Sequence, residues 1–194
     1  MATKNTVYRS YSMEYGTFVG LGWGATFLSY VEGISYQNGL LIFLCVVLFG
    51  IMCVCPFVLA MRLNRKHYAI GDRLSYLQGL LFAFSMFMYA CMMDGFITYA
   101  YFQFWDNGLL MEQLESMVNM PEMVRTYQQI GMGEQYEQMI NMLKQMNELT
   151  AFEKALMIFN NNFFISILLS FVVGFVASYD LNRIKVHHQG QSEH

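Results

Sequence analysis

A short basic segment lies between two long apolar runs, residues 40–61 and 74–105, and this pattern constrains the fold more than any other feature. A helix needs about 20 apolar residues to cross a bilayer core about 30 Å thick, and both runs are long enough. The segment RLNRKHYAIGDR between them contains four of the 11 Lys and Arg residues. Cytoplasmic loops of membrane proteins retain positive charge. The pattern therefore predicts two membrane helices joined by a cytoplasmic basic turn that contains Arg62, Arg65, Lys66 and Arg73.

The composition of the 194-residue chain supports the same conclusion. Hydrophobic residues make up 56% of the chain and charged residues 13%, whereas soluble domains contain about 25% charged residues. The net charge of −3 is small and unevenly distributed, so we expect no nucleic-acid partner. Residues 1–16 lack the layout of a cleaved signal peptide, so we expect the first apolar run to be a retained anchor.

The sequence predicts four membrane helices, at about Tyr15–Val31, Leu40–Met61, Leu74–Trp105 and Ile158–Tyr179. Eight of the 11 basic residues precede the first helix, join the second to the third, or follow the fourth. The other three lie in the long connection before the fourth helix. This asymmetry predicts that both termini are cytoplasmic. We therefore expect an all-α fold, an integral membrane four-helix bundle embedded in the lipid bilayer.

The long connection before the fourth helix, residues 106–157, is polar and acidic, and the predicted topology places it outside the membrane. It contains eight acidic residues and three basic ones. Its apolar residues recur at helical spacing, and Pro121 is typical of the first turn of a helix. We expect two or three amphipathic helices folded over the outer surface. The chain then divides into residues 1–105, this extracytoplasmic segment, and residues 158–194 with the fourth helix and a cytoplasmic tail.

Nine methionines lie in the stretch from Met111 to Met157. Thioethers on an external face could hold Cu(I), which prefers soft ligands. Methionine more commonly supplies an adaptable apolar face for a protein or lipid. The sequence leaves lipid, protein and copper open as partners of these side chains. We assign no cofactor and no metal site.

Three glycines on the first helix, Gly16, Gly20 and Gly24, follow one another at four-residue spacing. In a bilayer, a stripe of small residues lets a neighbouring helix approach closely, and packing then drives association. We expect this stripe to be a helix-packing face. The neighbour is either another helix of this chain or a helix of another protein.

A single carboxylate, Asp94, interrupts the third apolar run. A carboxylate inside a membrane is a candidate functional site, because its burial is costly. The alternative is a structural hydrogen bond. Asn160, Asn161 and Asn162 begin the fourth helix at a similar predicted depth, and their amides can donate to a carboxylate without adding a second charge. We expect one of these asparagines to bond to Asp94.

The segment PFVLAMRLNRKHYAIGDRLSYLQGLLFAF resembles the domain of unknown function 4199 family, whose members are small bacterial inner-membrane proteins. The features that carry the resemblance are Arg65, Gly71, the Leu-Ser-Tyr sequence at residues 74–76, and Gly79. The resemblance covers about residues 10–185. It implies a place in the bacterial inner membrane, four spans, a glycine-rich first helix and a long acidic helical connection before the last span.

No sequence motif indicates a reaction. The chain contains no Gly-rich phosphate loop, no HExxH pair and no Ser or Cys nucleophile with a nearby base, so we predict no enzyme and no catalytic residue. Members of the family often resemble accessory proteins encoded beside membrane-associated glycosyltransferases of envelope synthesis. The resemblance therefore implies an accessory subunit that binds another integral membrane protein, such as a glycosyltransferase, or a second copy of itself. The alternative is a small membrane protein that handles lipid or solute through Asp94.

The predicted topology can be tested by cysteine labelling of intact cells that produce a variant lacking the native cysteines. A cysteine introduced at Gln128 should react with an impermeant reagent added outside, because the acidic connection is expected there. A cysteine introduced at Ala69, in the basic turn, should not react. Labelling at both positions, or at Ala69 alone, would contradict this topology.

Overall fold

The computed structural model describes residues 4–69 and 74–179, and within these residues it contains seven α-helices and no strand. The predicted all-α class is therefore confirmed for this part of the chain. Four helices are long and pack side by side, and three short helices lie at one end of them. In chain order they are α1 (Lys4–Ser35), α2 (Gly39–Ala69), α3 (Tyr76–Phe104), α4 (Leu109–Val118), α5 (Pro121–Gln129), α6 (Gly133–Glu148) and α7 (Ala151–Ser178).

Three of these helices, α2, α3 and α7, are long and apolar enough to cross a membrane. This is the pattern of a multi-pass membrane protein. The first helix, α1, is as long as the others but is not among the three candidate spans. Its sequence includes glycines, tyrosines and a tryptophan, which lower its mean hydropathy.

Two of the long helices begin at a capping box. Before α3, the Ser75 hydroxyl accepts from the backbone N–H of Gln78, and the Gln78 side chain accepts from the N–H of Ser75. Thr150 and Glu153 make the same reciprocal pair before α7. Each box satisfies two backbone donors that a helix start leaves free. The box at Thr150 starts α7 well before the predicted Ile158.

The predicted basic turn is largely helical. The structure extends α2 to Ala69, so Arg62, Arg65 and Lys66 lie on the last turns of this helix rather than in a loop. The physical reason is that no Gly or Pro interrupts residues 57–69, and Arg, Leu and Lys are good helix formers. Arg73 and the expected bend at Gly71 lie outside the described residues. The tail from residue 180 onward also lies outside them.

Helix α3 lies between α1 and α7 and touches both at close range. Gly16 and Gly20 of α1 face the backbone of α3, where a Cβ on Gly20 would lie 2.6 Å from the carbonyl oxygen of Ala90. Gly24 faces the side chain of Ile97. The predicted glycine stripe therefore packs against another helix of the same chain. The order of these contacts shows that α1 and α3 run in the same direction.

Helix α7 crosses α3 in the opposite direction. A Cβ on Gly79 of α3 would lie 2.5 Å from the carbonyl oxygen of Gly174, so this crossing also requires glycine. Near the same level, Asn64 of α2 donates from Nδ2 to the carbonyl oxygens of Tyr179 at 2.8 Å and Val176 at 3.3 Å. The basic residues of α2 lie at this end of the bundle, which we call the basic end.

The opposite end is covered by α4. Leu110 and Met111 of this helix are buried together with Val31 and Ile34 of α1 and Tyr101 of α3. The other two short helices, α5 and α6, contain no buried residue. The start of α5 at Pro121 is the one that the sequence predicted. The number of short helices also falls within the predicted two or three.

The tight contact at Gly20 can be tested against Gly50, a glycine of α2 where an added Cβ would meet no atom within 4 Å. Gly20→Ala should lower the free energy of unfolding in detergent by about 1–3 kcal/mol, because the added methyl group overpacks the α1–α3 contact. Its melting temperature should fall accordingly. Gly50→Ala should leave stability unchanged or raise it, since Ala favours helix over Gly. Equal melting temperatures for the two variants would contradict the packing.

Candidate functional site

A cavity of about 570 Å³ lies between α1, α2, α3 and α7. Small-molecule sites in proteins occupy roughly 300–1,000 Å³ and have mostly apolar walls with a few polar groups. The walls of this cavity are largely apolar and include a set of aromatic side chains from three helices. These are Trp23, Phe27, Tyr30, Phe49, Phe57 and Phe87.

The cavity has a buried floor and an exposed rim. Phe87 and Asp94 of α3, which are 1% and 2% exposed, form its floor. Phe49 of α2 and Ile165 of α7 also line it, but they are 63% and 46% exposed. The mouth therefore opens sideways between α2 and α7. If these helices span a membrane, the mouth faces the surrounding lipid.

Two features of α2 shape its side of the cavity. Pro56 has no backbone N–H, so the carbonyl group of Met52 loses its helical hydrogen bond, and both residues line the cavity. The Met52 side chain also fills the space that Gly22 of α1 leaves open. At the basic end, Asn64 holds α2 against α7. The cavity lies farther along the two helices, beyond this contact.

A hydrogen bond between Asp94 and Asn162 lies in the cavity wall. Asn162 donates from Nδ2 to Oδ2 of Asp94 at 2.7 Å, and both residues line the cavity. The hydrogen bond that the sequence predicted between Asp94 and an asparagine of the last helix is therefore present. Asn160 and Asn161 are exposed, since consecutive residues of a helix point in different directions. They lie about three turns into α7, and not in its first turn, because the helix begins at Ala151.

The second oxygen of Asp94 is unsatisfied by the described part of the chain. Its Oδ1 atom is buried and has no hydrogen-bond partner there. Leaving a buried acceptor unpaired costs about 1–3 kcal/mol, and more for a charged group. Asp94, which lines the cavity, therefore keeps one spare acceptor, and this atom is buried.

Sequence reasoning missed a second polar contact between α3 and α7. The thiol of Cys91 and the hydroxyl of Ser166 are 3.3 Å apart, and Ser170 donates to the Ser166 carbonyl oxygen at 2.6 Å. Cys91 lies three residues before Asp94, and Ser166 lies four residues after Asn162. This spacing places both pairs on the facing sides of the two helices. This spacing is the one sequence feature that could have predicted the Cys91–Ser166 contact. It becomes informative only when the register between α3 and α7 is known.

The described basic residues of α2 lie at the basic end of the bundle, beyond the cavity. Arg62, Arg65 and Lys66 are exposed, and the ammonium group of Lys66 lies 4.6 Å from the ring centre of Tyr11. Such a contact between a cation and an aromatic face is worth about 0.5–1 kcal/mol at an exposed site. The structure thus has two distinct regions. One is the basic surface at the end of α2, and the other is the apolar cavity, which contains one carboxylate–amide pair. No group of three or more His, Cys, Asp or Glu side chains in the described ranges could hold a metal ion.

The family described as "Protein of unknown function (DUF4199)" matches residues 14–178 of the chain. The chain belongs to this family. The matched range includes every residue that lines the cavity, both glycine contacts of α3 and the three short helices. No protein of curated function and no solved structure matches the chain. Since the DUF4199 description names no activity, the function of this member has to be argued from its geometry.

In this DUF4199 protein, we expect the Asp94–Asn162 bond to stabilise the packing of α3 on α7. Asp94→Asn retains an amide oxygen that can accept from Asn162, so it should cost less than about 1 kcal/mol. Asp94→Leu leaves the Asn162 amide unpaired and should cost about 1–3 kcal/mol. Thermal unfolding in detergent measures the difference.

Asn161→Leu is the matched control for this comparison, because Asn161 is exposed and adjacent to Asn162. It should unfold at the temperature of the unmodified protein. If the Leu and Asn variants at position 94 unfold at the same temperature, the bond does not stabilise the helix pair.

Proposed function

We propose that the protein binds an apolar molecule, taken from the surrounding bilayer, in the cavity between α1, α2, α3 and α7. The observation that carries this proposal is the cavity itself, with aromatic walls and one carboxylate–amide pair. Binding sites for small molecules have this character, because apolar walls supply affinity and a few polar groups fix orientation. The role corresponds to lipid or solute handling through Asp94.

The walls of the cavity favour an apolar occupant. Apolar side chains that border open space lack van der Waals partners on that side. An apolar molecule in the cavity would supply these contacts. The bilayer is an abundant source of such molecules.

The position of the cavity mouth determines the route by which a molecule would enter from the bilayer. Phe49 and Ile165 at the rim are exposed, and they belong to two helices that are apolar enough to span a membrane. A molecule that enters between α2 and α7 therefore moves from lipid into the protein without crossing water. Its apolar part stays in apolar surroundings throughout, so no hydrophobic surface is exposed to water on the way.

We place the bundle in a bacterial inner membrane, with α1 as a fourth span and both termini cytoplasmic. Helix α1 runs beside α3 from the Gly16–Met86 contact to the Phe27–Tyr101 ring contact, so it lies at the same depth as a candidate span. Three basic residues at the end of α2 mark the cytoplasmic side. The short helices α4, α5 and α6, which together contain six acidic and two basic residues, are at the opposite end, and this topology puts them outside.

A second candidate role is the non-catalytic accessory subunit that the resemblance implied. Its support is the surface formed by α5, α6 and the residues just before them, where Met120, Met123, Met132 and Met142 are exposed. A methionine-rich face adapts to the shape of a partner. The partner would be another integral membrane protein, such as a membrane-associated glycosyltransferase. Its recovery with the unmodified protein, and its loss with Met120→Gln and Met123→Gln, would favour this role.

Binding in the cavity can be tested with the native thiol of Cys53, which lines the cavity and is exposed. A variant that keeps Cys53 as its sole cysteine is purified into lipid nanodiscs and treated with benzyl methanethiosulfonate. The attached benzyl group should occupy the cavity and suppress most of its labelling by a photoreactive alkyl probe. Crosslinked peptides of α2 and α7, identified by mass spectrometry, report this labelling.

The matched control keeps Cys55 as the sole cysteine. Cys55 lies on the same helix, two residues farther on, and is not among the residues that line the cavity. Its modification should leave probe labelling unchanged. Equal labelling of the Cys53 variant before and after modification would contradict binding in the cavity.

A further inference from the structure

We infer that the cavity selects amphiphiles whose polar end donates a hydrogen bond, either a hydroxyl or a protonated amine, and that Asp94 Oδ1 is the acceptor. This inference rests on the proposed binding of an apolar molecule and adds the chemical class of the ligand. The proposed binding depends mainly on the apolar walls, and it stands without a preference for any particular polar end. The selectivity follows from the single carboxylate in those walls.

The two oxygens of Asp94 are in different situations. Oδ2 accepts the Asn162 amide at 2.7 Å, which fixes the orientation of the carboxylate. Oδ1 is buried and has no hydrogen-bond partner within residues 4–69 and 74–179. Asp94 itself is 2% exposed and lines the cavity. A ligand in the cavity whose donor reaches Oδ1 would satisfy this acceptor.

The chemistry of a carboxylate determines which polar ends fit. An ionised carboxylate accepts hydrogen bonds and donates none, so it pairs with a hydroxyl or an ammonium group and not with an ether oxygen. Hydrogen bonds to a charged acceptor in water-free surroundings are stronger than those between neutral groups. A phosphate or carboxylate end would bring a second negative charge beside Asp94, which is unfavourable.

Among the described residues that line the cavity, Asp94 supplies the one carboxylate. Thr26 already donates from Oγ1 to the Gly22 carbonyl oxygen at 2.8 Å. Trp23 is stacked on Phe87, with ring centres 5.9 Å apart and planes inclined by 21°. These rings provide a flat apolar wall for the body of a ligand. Asp94 is therefore the charged acceptor that these walls offer to the polar end of a ligand.

The test uses three photoreactive probes of equal chain length, which end in a protonated amine, a hydroxyl or a methyl ether. They are applied to the full-length protein in lipid nanodiscs, and crosslinked cavity peptides are quantified. The amine probe, the hydroxyl probe or both should label about tenfold more than the ether, since one charge-assisted hydrogen bond is worth about this factor or more. Equal labelling by all three probes, or a preference for the ether, would overturn the inference.

Asp94→Asn provides a second measurement. Its amide oxygen can retain the bond from Asn162, and its NH₂ group then stands where Oδ1 was, so the site offers a donor instead of an acceptor. The preference for donor-ended probes should be lost, while the ether probe still labels the cavity and so reports a folded site. Asn161→Leu, at an exposed position, should keep the preference. A donor preference that survives Asp94→Asn would rule out Asp94 as the acceptor.

The outcomes separate this inference from the proposed function. If none of the probes labels the cavity of the unmodified protein, both the proposed binding and the inferred selectivity are contradicted. If the three probes label it equally, the proposed binding is retained and only the inferred selectivity is contradicted.

Discussion

The close approach of α3 to both of its neighbours is the constraint on which the rest of the structure depends. Gly16 and Gly20 bring α1 against the α3 backbone on one side, and Gly79 meets Gly174 of α7 on the other. In a bilayer, lipid tails are as apolar as the helix surfaces, so association depends on this kind of close packing. These contacts fix α3 as the central helix. They also fix the depth at which its one carboxylate lies.

The cavity follows from where the tight contacts end. Asn64 joins α2 to α7 at the basic end, whereas farther along the two helices flank an aromatic space whose floor is α3. The Asp94–Asn162 pair in that space is costly to bury, and Oδ1 has no protein partner in the described ranges. Under the proposed function, a donor on the bound molecule would pair with Oδ1, whereas a purely structural bond between Asp94 and Asn162 leaves this oxygen unpaired.

The sequence predicted the helical class, the glycine stripe, the helix start at Pro121 and the bond between Asp94 and an asparagine of the last helix. These features depend on local chemistry: hydropathy, small-residue spacing, the backbone of proline and the cost of a buried carboxylate. The sequence misplaced the start of α7, because the capping box at Thr150 precedes the apolar run. It also missed the cavity and the Cys91–Ser166 contact. Both arise from the register between helices far apart in the chain, which no local pattern specifies.

The measurement that tests the central claim most directly is native mass spectrometry of the protein released from nanodiscs prepared with its own membrane lipids. The account predicts a bound small molecule of reproducible mass, which is lost in Cys45→Trp, where the larger side chain fills part of the cavity. The matched variant Cys55→Trp, outside the cavity lining, should retain it. Protein released without any bound molecule, or a bound molecule that survives Cys45→Trp, would contradict the account.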